Sequence, residues 1–99
     1  MKVSVGDLLF LKDKIDMNIQ GEDLDDLSIG MVLSIQEADG SEEHQEIIFE
    51  TYKTFNEIEN VDQLVNSTQI KVVFPRTQKQ YWFPEFYIQN LFKKNKENT

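Results

Sequence analysis

Residues 70–91, IKVVFPRTQKQYWFPEFYIQNL, decide the fold of this 99-residue chain. They carry both prolines, the only Trp and six aromatic residues. In IKVVF the period-two spacing turns Ile70, Val72 and Phe74 to one side, as a half-buried strand requires. Pro75 ends that run, PRTQKQ supplies a turn and QYWF a second strand, so the segment reads as an antiparallel hairpin. Tyr81 and Phe83 then face the core with Phe74. Trp82 points the other way and shares the outer face with Val73. PEF suits a single tight turn, because Pro84 has a fixed φ and no N–H to donate. YIQNLF reads as the closing strand.

Working back from the hairpin, VGDLLFLK (residues 5–12) is a turn signal followed by a short apolar run stopped by Lys12, a buried strand. Residues 13–28, a loose alternation broken at Gly21, read as a long, partly strand-like loop folded back on itself. IGMVLSI (residues 29–35) alternates, with Ile29, Met31, Leu33 and Ile35 on one face and Gly30, Val32 and Ser34 on the other. QEADGSEEHQ (residues 36–45) reads as a solvated acidic loop turning at Asp39-Gly40. EIIFETYKTF (residues 46–55), rich in β-branched and aromatic side chains, reads as a strand. Asn60 caps a short helix around residues 60–66, with Val61, Leu64 and Val65 along one side. The expectation is a mainly β domain over residues 1–92, a five-stranded small barrel whose connection 36–68 is expanded, with residues 93–99 as a basic flexible tail.

Composition narrows the function classes. A net charge of -8 opposes general affinity for nucleic acid, which depends on Lys and Arg displacing counterions from phosphates. The charge is uneven: residues 36–66 hold nine acids and one base, whereas residues 67–99 hold two acids and six bases. Without cysteine there is no disulfide framework, thiolate metal site or cysteine nucleophile. No apolar run reaches the roughly 18 residues of a membrane helix, and MKVSVGDLLF lacks the apolar core of a signal peptide. These features predict a protein of a reducing, cytoplasmic setting without a membrane segment.

Chemistry-bearing motifs are sparse. His44, in SEEHQE, has no nucleophile or metal partner at an informative spacing and reads as a solvated loop residue. GEDLDD gathers Glu22, Asp23, Asp25 and Asp26, but without the ligand order of a calcium loop. The four glycines are too far apart for a phosphate loop. The expectation is a non-enzymatic protein with no cofactor and no metal.

The order VGDL, long loop, IGMVL, insertion, IKVVF, turn, YWF and closing Leu91 resembles SH3-like barrels, and among them the small SH3-like proteins of tailed bacteriophages. The resemblance covers about 60 residues and leaves 36–68 unmatched. It implies a structural or accessory phage protein acting through contacts with a virion or host protein, or with further copies of itself. FPEFYI is also similar to the Phe-Pro-x-x-Tyr-Val element of signalling SH3 domains. That likeness implies groove roles for Pro84 and Tyr87 and a ligand-Arg role for the acidic loop, as in an adaptor for proline-rich peptides. The partner-binding set expected from these readings is Trp82, Pro84, Phe86, Tyr87 and Val73. The net charge alone suggests a third role, an acidic decoy for a nucleic-acid-binding protein of the host.

Overall fold

A computed structural model describes residues 2–12, 24–55 and 58–94. Along the chain run β1 (Leu8–Leu11), a 3-10 turn (Leu24–Leu27), β2 (Ile29–Gln36), α1 (Glu42–Thr54) and α2 (Val61–Val65). They are followed by β3 (Gln69–Phe74), β4 (Lys79–Pro84), α3 (Glu85–Leu91) and β5 (Phe92–Lys93). The five strands form one antiparallel sheet in the order β4-β3-β2-β1-β5. The fold is therefore strand-rich but mixed α/β, and among the described residues the sheet ends in two edges, β4 and β5, with no ladder closing it into a barrel.

The hairpin forms where expected. Ile70 pairs with Phe83 and Val72 with Tyr81, and Ile70, Val72, Phe74 and Phe83 are fully buried. Its turn places Gln78 at φ 62, left-handed backbone that a non-glycine residue adopts only when the surrounding hydrogen bonds demand it; here the Gln78 N–H donates to the Phe74 carbonyl at 2.7 Å.

The strand β2 spans the expected residues, but its inward side is that of Gly30 and Val32. The register slips between Val32 and Ser34, so Leu33 forms a bulge and Ile35, paired with Ile70, returns to the core side. An extra residue in one strand reverses the alternation beyond it and bends the sheet. Gly30 is required by close packing: a Cβ there would lie 2.5 Å from Val72 Cγ1 and 3.1 Å from the Phe74 ring.

Residues 42–54 form a helix, not the strand and loop that composition suggests. Ser41 caps α1, its Oγ accepting the His44 N–H at 3.1 Å, and Glu42 and Glu43 occupy the positive first turn. His44, Ile47 and Thr51 are buried, and Phe55 follows at the same spacing, so the buried period is that of a helix. Asp39 positions the cap by accepting the Ser41 N–H at 3.0 Å. The Ser41 hydroxyl and then its N–H hold the Asp39 carboxyl below its ordinary range.

The α2 cap is as read: Asn60 Oδ1 accepts the Gln63 N–H at 3.0 Å. Of the three apolar residues expected on one side, only Leu64 is buried; Val61 is 48% and Val65 44% exposed. After β4, the expected tight turn and strand are instead two helical turns. Pro84 sits at the N-cap of α3, and Ile88 and Leu91 bury at the i, i+3 spacing before a two-residue strand.

That final strand takes up the start of the expected basic tail. Lys93 pairs with Phe10, and Lys94 Nζ lies 3.2 Å from Asp7 Oδ2 and donates to the Lys2 carbonyl at 3.0 Å.

Candidate functional site

The side of the sheet turned away from the core is apolar over several strands. Leu8 is opposite Met31, and Met31 opposite Val73, giving a row across β1, β2 and β3. Phe10 is opposite Ile29, and Trp82 opposite Lys71. Leu8 is 50% and Ile29 42% exposed, while Phe10, Met31, Val73 and Trp82 are half-buried. Antiparallel register forces this contiguity, since side chains two apart on each strand and opposite one another share a face.

Trp82 belongs to this surface without dominating it. The Lys71 ammonium lies 5.7 Å from its ring centroid, a cation–π contact that covers part of one face of the indole. Val73 lies two residues along β3 from Lys71, on the same face. Of the residues expected to bind a partner, these two share a surface.

The remaining three have other surroundings. Pro84 is buried, paired with Gln69 at the end of β4 and leading into α3. Tyr87 packs edge-on against Phe55 at 5.1 Å and against Phe86 at 5.0 Å. Both α3 aromatics line an open concavity of ≈ 380 Å³ with Ile58, Asn60 and Gln63.

Within the acidic loop, Glu22 and Asp23 lie outside the described residues. Asp25 and Asp26 belong to the 3-10 turn, and Asp26 Oδ1 is 3.6 Å from Arg76 Nε in the β3–β4 turn. The partner available to Asp26 within the chain is thus an arginine, though the pair is largely solvated. Among the described residues, no group of three or more His, Cys, Asp or Glu is arranged to hold a metal.

Comparison with protein-family models, curated proteins and solved structures found no match.

His44 is not a solvated loop residue. It is buried on the inner side of α1, where Nε2 is 3.0 Å from the Val65 carbonyl. A carbonyl can only accept, so Nε2 carries the hydrogen and ties α1 to the end of α2. Nδ1 has no hydrogen-bond partner among the described residues. A second buried polar joint lies nearby: Gln69 Oε1 accepts the Thr51 hydroxyl at 3.0 Å, and Gln69 Nε2 donates to the Leu64 and Ser67 carbonyls.

Sequence reasoning missed the outer side of α1. Phe49 is 61% and Tyr52 48% exposed, on a helix that also carries Glu42, Glu43, Glu46 and Glu50. The available signal was the spacing of His44, Ile47, Thr51 and Phe55, which leaves Phe49 and Tyr52 on the solvent side of a helix.

Proposed function

We propose that the protein is a non-enzymatic protein-interaction module built on an SH3-like barrel, and that it serves as a small structural or accessory protein of a tailed bacteriophage. The observation that carries the interaction role is the continuous apolar outer face Leu8–Met31–Val73 with Ile29 and Trp82 beside it. Contiguous apolar surface rimmed by polar groups marks protein contact sites, and a Trp within such a surface is a frequent energetic anchor. The barrel reading is supported by the strand order, in which β5 returns beside β1, and by the helix that precedes the last strand. The phage assignment rests on the sequence resemblance.

The adaptor reading draws less support. A groove proline has to meet its ligand, and Pro84 is buried beneath the start of α3.

The test is protein mass spectrometry of purified particles from cells infected with the source phage. Stoichiometric presence of the chain supports the virion role, and its absence overturns that role. Trp82→Ala and Ile29→Asp, both outside the buried core, are expected to abolish incorporation while leaving thermal unfolding near that of the parent chain. Normal incorporation of both variants would remove the outer face as the contact.

A further inference from the structure

The outer ridge of α1 lies apart from the sheet face and carries a different chemistry. Glu42, Glu46, Phe49 and Lys53 succeed one another at i, i+4, i+7 and i+11, one stripe of a helix. Glu42, Glu46, Phe49 and Glu50 line a shallow open depression of ≈ 620 Å³. An exposed Phe among carboxylates is an apolar platform in a negative field.

The ridge already binds a cation of its own. Lys53 Nζ lies 4.7 Å from the centroid of the Phe49 ring. A cation over an aromatic face is held by the ring quadrupole, and adjacent carboxylates add Coulombic attraction. Guanidinium is flatter and more weakly hydrated than ammonium, and it stacks on rings and bridges carboxylates better, so an incoming Arg can displace Lys53.

From this we infer that the ridge of α1 docks an arginine-bearing apolar segment of a partner protein, with Phe49 as the stacking platform, Tyr52 as apolar contact and Glu46 and Glu50 as the carboxylates that receive the guanidinium. Lys53 acts as the internal occupant that any ligand has to displace. This surface is distinct from the sheet face around Trp82, and its partner is defined by charge complementarity. Four glutamates against one lysine on α1, in a chain of net charge -8, select a basic occupant and oppose a second copy of the chain.

The experiment titrates the full chain, followed by amide NMR shifts at low and moderate salt, with three synthetic peptides of equal length. One is an amphipathic Arg/Leu helix, one is oligo-arginine and one is a Leu/Glu helix. The expected result is that the Arg/Leu peptide binds best and shifts residues 42–53 most. Phe49→Ala should weaken it about tenfold. Glu46→Gln combined with Glu50→Gln should flatten the salt dependence. Lys53→Gln should tighten binding several-fold, whereas Lys71→Gln, the same change of charge on the sheet, should leave it within about twofold.

Absence of binding overturns the inference. So does equal binding of oligo-arginine with no effect of Phe49→Ala, which is counterion attraction alone. Shifts centred on Leu8, Ile29 and Trp82 would assign the peptide to the sheet face instead. Self-association lost on Phe49→Ala, seen by sedimentation, would make the occupant a second copy. Trp82→Ala is expected to leave the titration unchanged, so failure of either surface is read separately.

Discussion

The rings of Phe83 and Phe92 meet edge to face, 5.6 Å apart at 88°, although they come from the two opposite edge strands of the sheet. Strands about 4.8 Å apart would hold the edges of a flat five-stranded sheet about 19 Å from each other. The sheet must therefore curl around its core until β4 and β5 face one another. Phe74 contacts both rings, and Phe55 reaches Phe83 from the end of α1, so the curl is held by a closed set of aromatic contacts. No ladder joins the two edges among the described residues, and the closure is made by side chains.

Phe92→Ala removes the residue that brings the last strand into that set. Truncating a buried Phe costs about 3–5 kcal/mol. The urea midpoint should fall accordingly, and the peptide 92–94 should lose amide protection before the hairpin does. A loss below about 1 kcal/mol would show that the edges are held together some other way.

Gly30→Ala should destabilise by about 1–3 kcal/mol through overpacking, because its methyl would meet Val72 Cγ1 and the Phe74 ring. Val72→Ala alone leaves a cavity, but in the double variant the new methyl occupies part of it. A double-mutant cycle by chemical denaturation should therefore give a favourable coupling, and strict additivity would argue that the backbone shifts instead.

Gln69 is the polar joint between the sheet and the two helices of the insertion. Gln69→Leu removes the side-chain donor of the Ser67 carbonyl and the acceptor of the Thr51 hydroxyl, while the Leu64 carbonyl keeps the Ser67 N–H at 3.1 Å, and should cost about 1–3 kcal/mol. Thr51→Val should cost less, about 1 kcal/mol, since its single hydroxyl hydrogen serves either Ile47 O or Gln69 Oε1 at a given moment. Hydrogen exchange should localise the Gln69→Leu defect to α1 and α2, not to β1 and β5.

Asp7 ties the segment before β1 to Lys94, just after β5. The Ser4 N–H, 2.7 Å from Oδ2, and then the Lys94 ammonium hold its carboxyl below the ordinary value of 3.8. A carboxyl depressed in the folded state contributes stability above its unfolded value, and that contribution disappears as the pH falls through the folded one. Carboxyl-carbon NMR should show Asp7 titrating below 3.8, moving upward in Lys94→Gln but staying depressed while the Ser4 contact remains. An Asp7 midpoint at the ordinary value in the parent chain would refute the tether.

Local rules made much of the frame legible. The hairpin 70–83, its inward set Ile70, Val72, Phe74 and Phe83, the span of β2 and the Asn60 cap follow from alternation, turn residues and side-chain capping, which act within a few residues. The segment EIIFETYKTF misled because β-branched and aromatic residues favour strands only weakly; tertiary burial of Ile47, Thr51 and Phe55, with the Ser41 cap, decided for helix.

The chain's own pattern thus determined which residues seek the interior and where most strands begin. The tertiary structure alone decided which side of β2 is inward, through a bulge at Leu33 that depends on pairing with β3. It also decided that Phe92 meets Phe83 across the curled sheet, that His44 is buried against Val65, and that Trp82 shares its face with Lys71 while Phe49 stands in solvent. Hydrogen-bond geometry and side-chain period are local and can be read from neighbours in sequence. Burial is set by elements far apart in the chain, so the surfaces left for a partner appear only once the sheet has curled and the helices have packed.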